Sequence, residues 1–138
     1  MDTSAVVKLL TEEPGSGAAR DAREDADALV VAAITEVETV AALRRSQRGG
    51  TLDRRSHGRA RKAFAELWER VGKVTIDAPV LREAVEAADA HGLRGYDAVQ
   101  LGCIRSIADL DPVVVCFDQE LRAAAAADGR TLWPLDTA

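Results

Sequence analysis

The sequence predicts an α/β domain in which a parallel β-sheet carries helices on both faces. Three observations predict it. Apolar residues recur at i, i+3, i+4 and i+7 in several stretches, which is the pattern of helices burying one face. Between those stretches lie short, continuous, apolar and β-branched runs, the pattern of strands covered on both sides. Gly15, Gly49, Gly50, Gly92 and Gly129 fall where the helical stripes stop. Alternating strands and helices of this kind are joined by right-handed crossovers.

Taken in order, Val6, Leu9 and Leu10 after Ser4 give a first helix, and residues 29–32 a strand. Thr35 opens a helix carrying Val37, Val40 and Ala41. Phe64, Leu67, Trp68 and Val71 form the clearest stripe of the chain, followed by a run at 74–76. Pro79 suits a first helical turn and leads into Leu81, Ala84, Val85 and Ala88. Ala98, Leu101, Ile104 and Ile107 give another helix. Pro112 precedes a strand at 113–116, Ala123 to Ala127 read as helix, and 131–133 as a last short run. Only Met1 stands before Asp2, whereas a strand needs about five residues. The first strand is therefore expected to be cut short before Asp2.

At 138 residues and 14.7 kDa the chain is expected to form one domain, 1–138. With 47% hydrophobic and 30% charged residues it is globular in composition rather than disordered. No apolar run approaches the roughly 18 residues of a membrane span, and no basic, then apolar, leader opens the chain. Cys103 and Cys116 form no CxxC pair, and with two histidines there is no zinc set. Reduced thiols and a cytoplasmic location are the expectation. His57 and His91 read as surface residues and Cys103 as a small core residue, while Tyr96, beside Asp97, reads as a packing residue in preference to one that stacks on a base.

The net charge of −5 excludes a globally basic nucleic-acid binder. The charge is uneven, however: residues 44–62 hold eight Lys or Arg and one acid, Asp53. That stretch reads either as the solvated face of a helical hairpin with the Phe64 stripe or as a contact for RNA or a partner.

Four acids fall at element boundaries. Asp2 precedes the first helix, and Glu38 lies one turn into the Thr35 helix. Asp97 opens the helix 98–107, and Asp118 follows the strand 113–116 and opens the helix 120–127. Ligands of open parallel sheets bind outside the carboxyl ends of the strands, the edge to which all four positions belong. Carboxylates gathered there repel unless a cation holds them, and oxygen-only donors select Mg²⁺ or Mn²⁺. Such an ion binds a phosphate oxygen, generates hydroxide from water and neutralises transition-state charge, which points to phosphodiester hydrolysis. Each acid also has a simpler reading. Asp97 and Asp118 suit helix caps, Thr35 to Glu38 suits a capping box, and Glu36 competes with Glu38 for the site role.

The motifs DTSAVVKLLTEEPGS, ITEVETVAALRR, HGLRGYDAVQLGCI and VVVCFDQELRAAAAADG, in this order over about residues 2–133, resemble the PIN-domain ribonucleases of the VapC toxin type. The resemblance implies a PIN-like three-layer sandwich, with a parallel sheet of order 3-2-1-4-5, helices on both faces and a helical hairpin. It implies a Mg²⁺- or Mn²⁺-dependent endoribonuclease acting as the toxin of a bacterial toxin–antitoxin pair. Carried over by position, Asp2, Glu38, Asp97 and Asp118 form the catalytic metal site, with Asp2 and Asp97 as its direct ligands, and Ser4 hydrogen-bonds within it. A homodimer and a cognate VapB-like antitoxin, bound across the hairpin, are the implied partners beside the RNA substrate. Cys116 stands where the family often has threonine, so a weaker donor is expected there.

Two other classes fit poorly. A phosphoaspartate hydrolase needs an acid two residues after Asp2, where Ser4 stands. A receiver domain needs a late lysine, and the only lysines are Lys8, Lys62 and Lys73. The remaining alternative is a catalytically silent module of the same fold that pairs with an antitoxin-like helix.

Overall fold

A computed structural model describes residues 1–135; the last three residues of the expected 1–138 domain lie outside the described ones. The described residues form seven α-helices and four short strands, all strand pairs being parallel. The helices are α1 (Thr3–Leu10), α2 (Ser16–Asp25), α3 (Thr35–Arg48), α4 (Arg54–Trp68), α5 (Ala78–His91), α6 (Gly95–Ser106) and α7 (Gln119–Ala127). The strands are β1 (Val30–Ala32), β2 (Gly72–Val74), β3 (Val114–Val115) and β4 (Leu132–Trp133).

Local chemistry fixes most helix ends. Asp2, Asp53, Asp77 and Asp118 each accept a hydrogen bond from a backbone N–H three residues on and so cap α1, α4, α5 and α7. Gly92 ends α5 in the left-handed conformation (φ 66°). Gly15, expected to stop a helix, instead starts α2 at φ 94°; a Cβ there would lie 2.8 Å from the Phe117 ring. Helix α2 carries no sequence signal, because only Ser16 and Ala19 of it are buried and no apolar stripe marks it.

Three packing centres result, the smallest formed by Ala32 of β1, Val80 of α5 and Cys103 of α6. Val6 of α1, Val31 of β1 and Phe64 and Leu67 of α4 form one, with Val71 beyond α4. The α3–α4 pair is the expected helical hairpin, and the basic stretch runs through its tip. Ala84 and Ala87 of α5, Ala98 and Leu101 of α6, Val114 of β3 and Leu121 of α7 form another. At its margin Arg105 donates two hydrogen bonds to Asp128, at 2.6 and 3.0 Å, and His91 approaches the same carboxylate at 3.2 Å. His91 is thus largely covered rather than a free surface residue, whereas Tyr96 is 63% exposed and does not pack as expected. Cys103 is core, as expected, and burial pushes its thiol pKa up to about 11, with the Asp77 charge a smaller cause.

The strands form two pairs, β1 with β2 (Val30 opposite Gly72) and β3 with β4 (Val114 opposite Leu132), rather than one five-stranded sheet. The backbone of Met1 and Asp2 ties the pairs together. The Met1 amino group donates to Val30 O and Asp2 N–H to Val115 O, both at 3.0 Å. Behind them lies a cavity of about 560 Å³ between β1 and β3, with Ala22 of α2 and Cys103 and Ile104 of α6 among its walls. Among the described residues no strand occupies it. Burial also lowers the pKa of the Met1 ammonium, because a charge is poorly solvated there. Joining four β-branched residues to the Met1 nitrogen is therefore expected to raise stability by about 2 kcal/mol, the apolar burial exceeding the ordering cost. Thermal unfolding beside a Gly/Ser extension of equal length checks this, and the polar extension should give no gain.

Candidate functional site

All four acids and Ser4 open into one pocket of about 460 Å³ at the carboxyl ends of β1 and β3. Each arrives from a different segment, and each is held differently.

Asp2 is 5% exposed. Its carboxylate caps α1 through Ala5 N–H (3.0 Å), lies 2.8 Å from the Ser4 hydroxyl at both oxygens, and accepts from the Cys116 thiol at 3.3 Å. Burial raises its pKa, and these donors together oppose the rise. The thiol thus does make the contact, at the long distance proper to sulfur, and its own pKa is pushed up by burial and then by the Asp2 charge. Ser4 in turn accepts from Phe117 N–H at 2.9 Å and so locks the end of β3 to α1. Ser4→Ala is expected to cost about 1–2 kcal/mol, because it strips a donor from Asp2 and orphans the Phe117 amide. Urea unfolding measures this.

Glu38 does not turn back to its own helix end, so the capping box does not form. Its carboxylate accepts from Thr3 Oγ1 at 2.7 Å and from Gln100 Nε2 at 2.8 Å. Ile34 precedes α3 with no side-chain cap. Glu36 is exposed and does not line the pocket, whereas Glu38 does.

Asp97 lies in the first turn of α6 but caps nothing; its Oδ2 accepts from Arg94 Nε at 3.1 Å. Burial raises its pKa, the Asp118 charge adds to the rise, and Arg94 opposes it. Asp118 serves two purposes. Oδ1 caps α7 through Leu121 N–H at 2.9 Å, while Oδ2 lies 3.8 Å from Arg94 Nη2. The cap and site readings of this residue are therefore compatible.

Gln100, Thr3 and Thr35 were not among the expected site residues. Gln100 is 4% exposed, and its amide nitrogen lies within 3.1 Å of both threonine hydroxyls as well as Glu38. One signal could have found it: a polar residue three positions after Asp97, on the same helix face, inside an otherwise apolar run.

The donor set consists of oxygen atoms, which suits Mg²⁺ or Mn²⁺. A guanidinium already bridges Asp97 and Asp118, so these two carboxylates do share a positive charge. As the side chains stand, no three His, Cys, Asp or Glu among the described residues are grouped closely enough to hold an ion. The chemistry of the donors fits a divalent ion, and the present spacing leaves Asp2 and Glu38 on protein donors.

An α/β frame of parallel strand pairs, with carboxylates from four segments at one pocket, defines a class of acidic-site domains. The PIN domain profile matches residues 1–127, and the chain belongs to that family. It is 34% identical over 133 residues to ribonuclease VapC45 of Mycobacterium tuberculosis (strain CDC 1551 / Oshkosh), covering 96% of this chain and 92% of that protein. The same figures hold for ribonuclease VapC49 of M. tuberculosis (strain ATCC 25618 / H37Rv). The chain is thus of the VapC type within the family.

Proposed function

We propose that the protein is a Mg²⁺- or Mn²⁺-dependent endoribonuclease, the toxin of a toxin–antitoxin pair, acting in the cytoplasm as a single domain. One observation carries the reading: in a chain of the VapC type, acids distant in sequence open into one pocket. Asp2 and Asp97 are the direct ligands of this reading, and Asp118 and Glu38 complete the surroundings of the ion. A bound Mg²⁺ or Mn²⁺ would supply charge neutralisation at the scissile phosphate and acidify a water. The chain's own residues do the rest. Ser4, Cys116 and the Ala5 amide fix the Asp2 carboxylate, and Gln100 and Thr3 fix Glu38, so the charges are set before substrate arrives. Arg45, at the pocket wall two turns beyond Glu38, and the exposed arginines of the hairpin attract the RNA backbone.

The finer fold belongs to the same reading. Met1 and Asp2 hold the central place of a 3-2-1-4-5 order in a three-layer sandwich, which the two hydrogen bonds to Val30 and Val115 support. A VapB-like antitoxin across the α3–α4 hairpin and a homodimer complete the assembly. No helix among the described residues is long and apolar enough to cross a membrane.

The spread of the acids favours the second reading, a silent module that pairs with an antitoxin-like helix. Purified protein incubated with single-stranded RNA decides between them. Cleavage with Mn²⁺, lost with a chelator and regained with excess Mn²⁺, is the expected result. RNA left intact under all three conditions would replace the nuclease by the silent module.

A further inference from the structure

We propose that Arg94 is the positioning residue of the acidic pocket: an internal counter-ion that pairs Asp97 with Asp118 and must leave before a divalent ion can enter. The inference rests on the metal reading given above.

The geometry makes guanidinium and metal mutually exclusive. Arg94 Nε–H occupies Asp97 Oδ2 at 3.1 Å, and Nη2 faces Asp118 Oδ2 at 3.8 Å. An ion shared by Asp97 Oδ2 and Asp118 Oδ2 would sit about 2.1 Å from each, in the space between them that the guanidinium faces and directly against its charge. One of the two cations must go, and the structure assigns that role to Arg94. Its side chain is 73% exposed. Asp97 and Asp118 are its only ion-pair partners among the described residues. Arg94 also precedes α6 without capping it through its side chain, so its departure breaks no helix bond.

The other carboxylates are anchored by contrast. Asp2 is held by Ala5, Ser4 and Cys116, and Glu38 by Thr3 and Gln100. The Asp118 cap to Leu121 uses Oδ1 and leaves Oδ2 available. Exchange therefore moves one exposed arginine while the frame stays fixed. The cost of that exchange is subtracted from metal affinity, so Arg94 sets how much divalent ion is needed to fill the site.

The test is a Mn²⁺ titration of the metal-free protein, followed calorimetrically and by the electron paramagnetic resonance of free Mn²⁺, at fixed pH and ionic strength. Arg94→Gln is expected to bind Mn²⁺ about fivefold more tightly than the wild type. Arg94→Lys, which keeps the charge but not the fork, should fall between them. Adding Asp97→Asn to Arg94→Gln should erase the gain, since the competed oxygen is gone. Equal or weaker Mn²⁺ binding by Arg94→Gln, with wild-type binding intact, overturns the role of Arg94 and leaves the metal reading standing. No Mn²⁺ binding by any of the proteins overturns both. If Arg94→Gln fails to fold by circular dichroism, Arg94→Lys decides alone, and affinity no tighter than wild type then counts against the proposal.

Discussion

Asp97→Asn is expected to lower Mn²⁺-dependent RNA cleavage by about a thousandfold, the scale on which loss of a charge-stabilising group acts. The fold should survive. Asp97 sits in the first turn of α6, where Ala98 N–H is already satisfied by Arg94 O and the carboxylate caps no amide. The substitution is isosteric and removes a negative charge facing Asp118. Stability against pH gives an independent reading. Burial and Asp118 raise the folded pKa of Asp97, so ionising it opposes folding. The wild type therefore gains stability as pH falls through that raised value toward the ordinary carboxylate range, and Asp97→Asn lacks this gain. Asp97→Asn should therefore be the more stable of the two at neutral pH, and their denaturation curves should converge on acidification. Cleavage by Asp97→Asn at the wild-type rate would remove this residue from the reaction.

Gly102→Leu should be the most damaging change to stability, at about 3 kcal/mol or more. Gly102 is where α6 meets α5 at closest approach. A Cβ there would lie 2.8 Å from Val80 O and 3.0 Å from Ala84 N, both backbone atoms that cannot swing aside. The helices would have to separate, and α6 carries both Asp97 and Gln100 into the pocket. Gly102→Ala should show the same effect in smaller degree. Urea unfolding of the pair beside the wild type measures it, and a Gly102→Leu protein as stable as the wild type would show that the two helices can part without loss.

Much of the frame was legible because it is encoded locally. Asp118 caps α7 as its place after a strand suggested, although Asp97 caps nothing, and the Phe64 stripe faces the core. Residues 30–32 and 114–115 fall within the runs expected to be strands. What was missed depends on tertiary partners. The second strand was expected at 74–76 but lies at Gly72–Val74, because Gly72 N–H bonds Leu29 O and Ala33 N–H bonds Val74 O, which fixes the register two residues earlier. Gly72 and Lys73 are exposed, so the apolar run marks only the last residue of the strand. α2 has no stripe for the same reason. In the site, the four acids were visible as residues at element boundaries. Their holders were not: Gln100 meets Thr3 across 97 positions, a relation that no local pattern carries.

The seam between the two strand pairs passes through the residue that bears the most deeply buried acid of the pocket. Asp2 gives its amide to Val115 and its carboxylate to the site, while its neighbour's nitrogen holds Val30. A parting of the two strand pairs would thus disturb the pocket directly. An affinity tag fused ahead of Met1 would replace the amino group that holds Val30 by an amide at that joint.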